Sequence, residues 1–442
     1  MQLILAFGAF MAAMIACLSL NISMIAALAV GVIAFSLPAM KRGFSARQLL
    51  GMLRRGMKES LVVVVVMALI GCLTSLWRQS GTIAYFTYYG IKLIPAEVFI
   101  LAAFLLSAGM SYALGTSFGV AGTIGVILMT IARASGVSTV IAGGAVMSGI
   151  YFGDRGSPAA SSASLVAHET GTDVSRNFKL MLPSSLLPMA LCALLYALLS
   201  IFNRPGSMDT SLLAGFEAEF NLSAWCLLPT IVLLALAFCG MKIKYVMMIN
   251  IVLSAVLAAV LQKSPVSQIL RMTIMGYAPK DASLSAILSG GGVASMVEIS
   301  FILILSSAFS GIFEGTQMLS SVEGAFEQLS GKIGRFGAMI IASAGVCAVF
   351  CNQTIGIIMC RQCMGRNYDL SSPDGRKDMM LDIENSVVTI AGLVPWCIAC
   401  SVPLRMLGCD LRTLPFAAYL YLLPICWFFH LKRQRKRNIS AP

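Results

Sequence analysis

Tyr151-Phe-Gly-Asp-Arg-Gly-Ser-Pro-Ala-Ala-Ser-Ser-Ala-Ser164 puts two charges, two glycines, a proline and four serines between long apolar runs. A hydrocarbon interior admits irregular polar backbone only where it is buried in protein or lines a wet cavity. If the flanking runs are membrane helices, this segment is a break inside a span and the natural centre of a transport site.

Composition puts those runs in a membrane. The 442 residues are 58% hydrophobic and 11% charged, with a mean hydropathy of +0.87; soluble proteins carry about 25% charged residues. Alternating strands of roughly ten residues, the mark of a membrane barrel, are absent. The sequence therefore predicts an all-α polytopic membrane protein of about 10–12 membrane segments. The net charge of +12 calls for no nucleic acid, because its Lys and Arg cluster as cytoplasmic flanks do. The thirteen cysteines lack metal-type spacing. Cys351, Cys360 and Cys363 come nearest, within or beside apolar helix. No transition metal, cofactor or cleavable leader is expected.

Along the chain, residues 1–58 read as two transmembrane helices followed by a basic interfacial helix from Ser45 to Lys58. Residues 59–202 form a first transport repeat. Residues 203–295 hold a polar external loop (203–221), two connecting helices and a Gly-rich re-entrant segment at Gly290–Gly292. Residues 296–430 form a second repeat, and 431–442 a basic tail. Gly81, Gly119 and Pro158 match Gly315, Gly356 and Pro395 in order. Their spacings are 38 and 39 residues in the first half, and 41 and 39 in the second. The basic segments at Lys41–Lys58, Lys242–Lys244 and Lys432–Arg437 place both termini in the cytoplasm. The first repeat then starts inside and the second outside. Inverted repeats with broken helices and re-entrant hairpins meeting at mid-membrane are a secondary-transporter architecture.

Several segments together resemble the NhaC-type sodium/proton antiporter family of the ion transporter superfamily. They are Ser148-Gly-Ile-Tyr-Phe-Gly-Asp-Arg-Gly-Ser-Pro158, Gly115-Thr-Ser-Phe-Gly-Val-Ala-Gly-Thr-Ile-Gly125, Leu288-Ser-Gly-Gly-Gly292 and Leu393-Val-Pro-Trp396, with Trp77, Ser80-Gly-Thr82 and Tyr88-Tyr-Gly90. The resemblance runs in order from about residue 55 to 410. It implies a sodium-linked antiporter of the bacterial inner membrane, in a family where some members carry organic solutes. One departure stands out. Where the family continues after Ser-Pro with a Ser-Asp-Thr-Thr-Asn run, this chain has Ala160-Ser-Ser-Ala-Ser164. Ser161 occupies the expected acid position and Ser164 the expected Asn.

Sodium leaving water needs hard oxygen ligands, which hydroxyls, amides and unwound carbonyls supply. At the breaks these are Thr116, Ser117, Ser157, Ser161, Ser162 and Ser164, with Asn352, Gln353 and Thr354 from the second half and Asp154 as the charged member. Proton exchange also needs a carboxyl shielded from bulk water. With Ser161 in place of the acid, the candidates are Glu298, Asp154 and Glu384, then Asp382 and Glu314. Gly115-Thr-Ser-Phe-Gly119 fits a nucleophile elbow. It lies between apolar helices, and the only histidines are His168 and His430, so hydrolase chemistry is rejected. No segment could form a nucleotide domain, and the chain is not expected to be an enzyme. The expected function is sodium/proton antiport by alternating access. The alternative is sodium- or proton-coupled transport of a carboxylate or amino acid, with Arg155, Arg361 or Arg405 assisting. The expected partners are the lipid bilayer, sodium, protons and, in the alternative, the solute; a homodimer is compatible.

Overall fold

The computed structural model describes residues 2–20, 22–203, 210–316 and 323–440. Helices α1 (Gln2–Ser19) and α2 (Met24–Lys41) form an antiparallel pair ahead of α3 (Ala46–Gln79). The Ser45–Gln48 capping box starts α3, which then runs unbroken for 34 residues. The basic stretch Ser45–Lys58 is therefore not a separate interfacial helix. Nothing between Lys58 and Leu61 ends a helix, so the apolar span simply continues it. At 1.5 Å per residue α3 is about 51 Å long. A hydrocarbon core is about 30 Å thick, so the basic turns project beyond it.

The first repeat continues with α4 (Thr82–Leu93), α5 (Phe99–Leu114), α6 (Ser117–Ala134), α7 (Thr139–Gly156), α8 (Ser161–Thr170) and α9 (Val174–Phe202). Helix α10 (Thr210–Glu219) occupies the stretch expected as a loop; its Phe216 is buried, and so is Phe220 just past its end. It bends by 97° into the segment that contains α11 (Leu228–Phe238). Then come α12 (Ile243–Val260), α13 (Val266–Met275) and α14 (Ala282–Leu288). The second repeat holds α15 (Val297–Thr316), α16 (Glu323–Ile333), α17 (Arg335–Phe350), α18 (Gln353–Met364), α19 (Pro373–Leu393), α20 (Ile398–Leu407) and α21 (Ala418–Ser440).

Among the described residues, six helices are long and apolar enough to cross a membrane, or up to eight if each bent pair counts as one span. Three shorter apolar helices, α1, α5 and α17, add to these, in agreement with the 10–12 membrane segments read from sequence. Several apolar runs are arms of re-entrant hairpins or halves of broken helices, such as the 16-residue α5 and α17.

The repeat is legible in the backbone. Helix α5 ends at Gly115 (φ 64°, ψ 31°) and α6 starts from Thr116 (φ −152°, ψ 126°). Helix α17 ends at Cys351 (φ 55°, ψ 16°) and α18 starts from Asn352 (φ −142°, ψ 127°). The broken helices agree equally well. Ala160 before α8 (φ −71°, ψ 132°) matches Cys397 before α20 (φ −67°, ψ 139°). Gly81 is a left-handed break between α3 and α4. Its sequence counterpart Gly315–Thr316 is the last turn of α15, and the residues that follow lie outside the described ones.

The repeats are inverted. In the crossing of α3 with α15, Gly56 abuts the Ser307 carbonyl and Gly311 abuts the Met52 carbonyl. Farther along α3, the Gly71 carbonyl accepts from the Gly292 amide at 2.8 Å, just before α15. The two helices that open the repeats thus run antiparallel. The Gly290–Gly292 run is a close helix contact: all three residues have positive φ, and a Cβ on Gly291 would lie 2.7 Å from the Ser75 amide nitrogen on α3.

The hairpins enter from opposite ends. Helix α7 runs parallel to α5, since Gly149 packs on Phe104 and Ser107 while Gly153 packs on Ser111. The far end of α6 returns to the starting end of α7: Arg133 there donates to the Leu407 and Gly408 carbonyls, and Gly143 meets Cys409. The second hairpin closes at the other end, where Arg361 of α18 donates to the Glu169 carbonyl of α8 at 3.2 Å. Both tips therefore point inward, towards each other.

Candidate functional site

Asp154 lies in the last turn of α7 and is 4% exposed. The Gln353 amide donates to its Oδ2 at 3.0 Å, and Ser117 also hydrogen-bonds it. Ser117 and Gln353 are the first residues of α6 and α18, so they are equivalent positions of the two repeats. One carboxylate thus sits where two hairpin helices begin, and helix N-termini favour negative charge. Gln353 also donates to the Val388 carbonyl at 2.8 Å, tying the second tip to α19. The Ser162 hydroxyl donates to the Asp154 carbonyl. Tyr151, one turn back on α7, donates to the Ala399 carbonyl of α20. Elements of both repeats converge here.

Arg155 is fully buried. It donates to Ser184 Oγ at 2.6 Å, to Asn385 Oδ1 at 2.7 Å, to the Met181 carbonyl at 3.3 Å and to Ser185 Oγ. Each of these acceptors is neutral. Glu384 is 1% exposed, and neither of its carboxyl oxygens has a hydrogen-bond partner. It lies within electrostatic reach of Arg155 and Asp154. Two residues on, Ser386 (φ −129°, ψ −85°) interrupts the helical backbone of α19.

The remaining expected residues divide clearly. Thr116 and Asn352 cap the hairpin helices, accepting from Gly119 N at 3.3 Å and Thr354 N at 2.9 Å. Ser157 is buried and accepts from Ala159 N at 3.1 Å within the break. Ser161, Ser164 and Thr354 lie on exposed faces of α8 and α18. Glu298 stands at the opening turn of α15, with Arg405 Nη1 at 2.7 Å from Oε2 and Ser23 Oγ at 2.9 Å from Oε1. Glu314 is exposed. His168 is exposed beside Glu169 at 3.6 Å.

Asp382 is 0% exposed and well partnered: Tyr368 OH and Trp427 Nε1 each donate at 2.8 Å, and Arg335 Nε at 3.2 Å. This arrangement ties α17, α19 and α21 together. Removing one partner of a buried ion pair costs about 3 kcal/mol. Asp382→Ala should therefore lower the thermal midpoint of the folded protein. An unchanged midpoint would contradict that assignment.

Sequence reading did not anticipate Ser184, Ser185, Asn385, Tyr151 or Tyr419, whose OH lies 3.4 Å from Ser185 Oγ. The available signal was polar pairs inside apolar runs, Ser184-Ser185 and Glu384-Asn385.

Inverted repeats, paired hairpins and a buried carboxylate between them are the build of a multi-pass membrane carrier. The family model described as "Na+/H+ antiporter family" matches residues 1–201 and 149–429, and the chain belongs to that family. It is 25% identical to the malate-2H+/Na+-lactate antiporter of Bacillus subtilis, over 80% of this chain and 77% of that one. It is 24% identical to the Na+/H+ antiporter NhaC of Alkalihalophilus pseudofirmus, over 84% and 81%. It is also 24% identical to the arginine/ornithine antiporter ArcD of Halobacterium salinarum, over 77% and 73%.

Proposed function

We propose that the protein exchanges sodium for protons by alternating access, with Asp154 and Glu384 as the carboxyls that sodium and protons share. The observation that carries this reading is Asp154, enclosed between equivalent residues of the two hairpin tips. Family membership supports the ion pair of substrates. Ser117, Gln353 and Ser162 hydrogen-bond Asp154, and Thr116, Asn352 and Ser157 at the same breaks add neutral oxygens of the kind a monovalent hard cation needs. Glu384 is a buried carboxyl without a partner, and such groups in membrane proteins mark ion or proton paths. Arg155 gives the cluster a fixed positive charge. In this reading the protein sits in a bacterial inner membrane with the basic ends of α3 and α21 in the cytoplasm.

The test uses purified protein in liposomes with a pH dye inside. An imposed sodium gradient should drive a pH change of opposite sense without any organic solute. Glu384→Gln should lower that rate, because it removes a buried ionisable group of the kind that marks a proton path. A sodium gradient that moves no protons unless a solute is added would overturn the reading. It would favour solute exchange, which two relatives' names support for those proteins.

A further inference from the structure

A second polar site lies outside the cluster around Asp154. A cavity of about 260 Å³ opens beside the turn between α1 and α2. Its floor is Pro395 and Trp396, the break between α19 and α20, with Ser401 one turn further on. Its walls are mixed: Ile299 and Ile302 are apolar, Ser23 and Ser401 bring hydroxyls, and its charged groups are Glu298 and Arg405. Polar groups that converge on a concave site fix a ligand's orientation, and a volume below roughly 300 Å³ selects a small solute.

The charged pair is poised rather than locked. Arg405 and Glu298 side chains are 48% and 39% exposed, and an ion pair this open contributes little net stability. Ser23, which caps α2, holds the second oxygen of Glu298 and fixes its orientation. The Trp396 indole NH is already used, donating to the Ala348 carbonyl at 2.7 Å, so its ring is held in place as cavity wall.

We infer that this cavity binds a small zwitterion of the α-amino-acid class, with its carboxylate on Arg405 and its ammonium on Glu298. A simple anion taking Arg405 would leave Glu298 without its partner, and a simple cation would strand Arg405. A zwitterion replaces the one ion pair with two charge-assisted contacts. The Trp396 ring offers the ammonium a cation–π face. The site stands independently of the sodium–proton reading.

The test is equilibrium binding to the full-length protein in lipid nanodiscs. The probes are the twenty α-amino acids, with lactate and ethylamine as single-charge analogues. At least one small amino acid should bind, and both analogues should bind at least about tenfold more weakly. Glu298→Gln and Arg405→Gln should each weaken that binding at least about tenfold, with thermal midpoints confirming the fold. Ser23→Ala should weaken it less. If no amino acid binds, if the analogues bind equally, or if either Gln variant binds as the parent does, the proposal is wrong. Sodium-driven pH change in liposomes reports separately on the function proposed above.

Discussion

Asp154→Asn is expected to lower sodium-driven proton exchange on the order of 100-fold while leaving the protein folded. The amide keeps an oxygen for the Gln353 donor at 3.0 Å, so the two hairpin tips stay tethered. What it loses is the charge. A charge-assisted interaction of about 3 kcal/mol corresponds to roughly two orders of magnitude in binding. The fold is checked by size-exclusion profile and thermal midpoint, the exchange by pH change in liposomes under a sodium gradient. A variant that folds and still exchanges at half the parental rate would remove Asp154 from the mechanism. Gln353→Leu should give a smaller loss, because it takes away one neutral donor and leaves the charge.

The largest structural effect should come from Gly153→Ala, one residue before Asp154. A Cβ on Gly153 would stand 2.0 Å from the Ser111 carbonyl carbon and 2.1 Å from the Tyr112 amide nitrogen. These are backbone atoms of α5, so no rotamer change relieves the clash and the helices must separate. Overpacking usually costs 1–3 kcal/mol; contact with backbone puts this case at about 3 kcal/mol or more. A midpoint fall of about 3 °C or more, or failure to isolate monodisperse protein, is expected. Gly156→Ala is the control on the same helix, since nothing lies within 4 Å of its Cβ position. Equal behaviour of the two variants would show that α5 and α7 do not pack this closely.

Much of this architecture could be read from the chain because apolar run length and polar interruption are local signals. The breaks after Gly115 and at Ser157-Pro158, and their partners at Cys351 and Val394-Pro395, are visible as Gly, Pro and hydroxyl clusters between apolar runs. What local signals cannot give is which interruption meets which. Glu298 is the more conspicuous of the two in sequence, yet it is half-open and paired with Arg405, while Glu384, which reads as a solvated residue near an interface, is enclosed without a hydrogen-bond partner. The difference arises from where α15 and α19 stand, and no residue nearby in sequence encodes it. The fate of Ser45–Lys58 was also hidden. A basic amphipathic stretch reads the same whether it lies on a membrane or extends a span, and only continuity into α3 decides between them.

The doubled backbone carries chemistry that is not doubled. By the 237-residue offset that superposes Pro158 on Pro395, the counterpart of Asp154 is Ala391 and that of Glu384 is Met147, both fully buried. Each half therefore contributes one carboxyl, at positions the other half has given to apolar packing. Two copies of one backbone frame thus enclose one pair of buried carboxyls, Asp154 from the first half and Glu384 from the second.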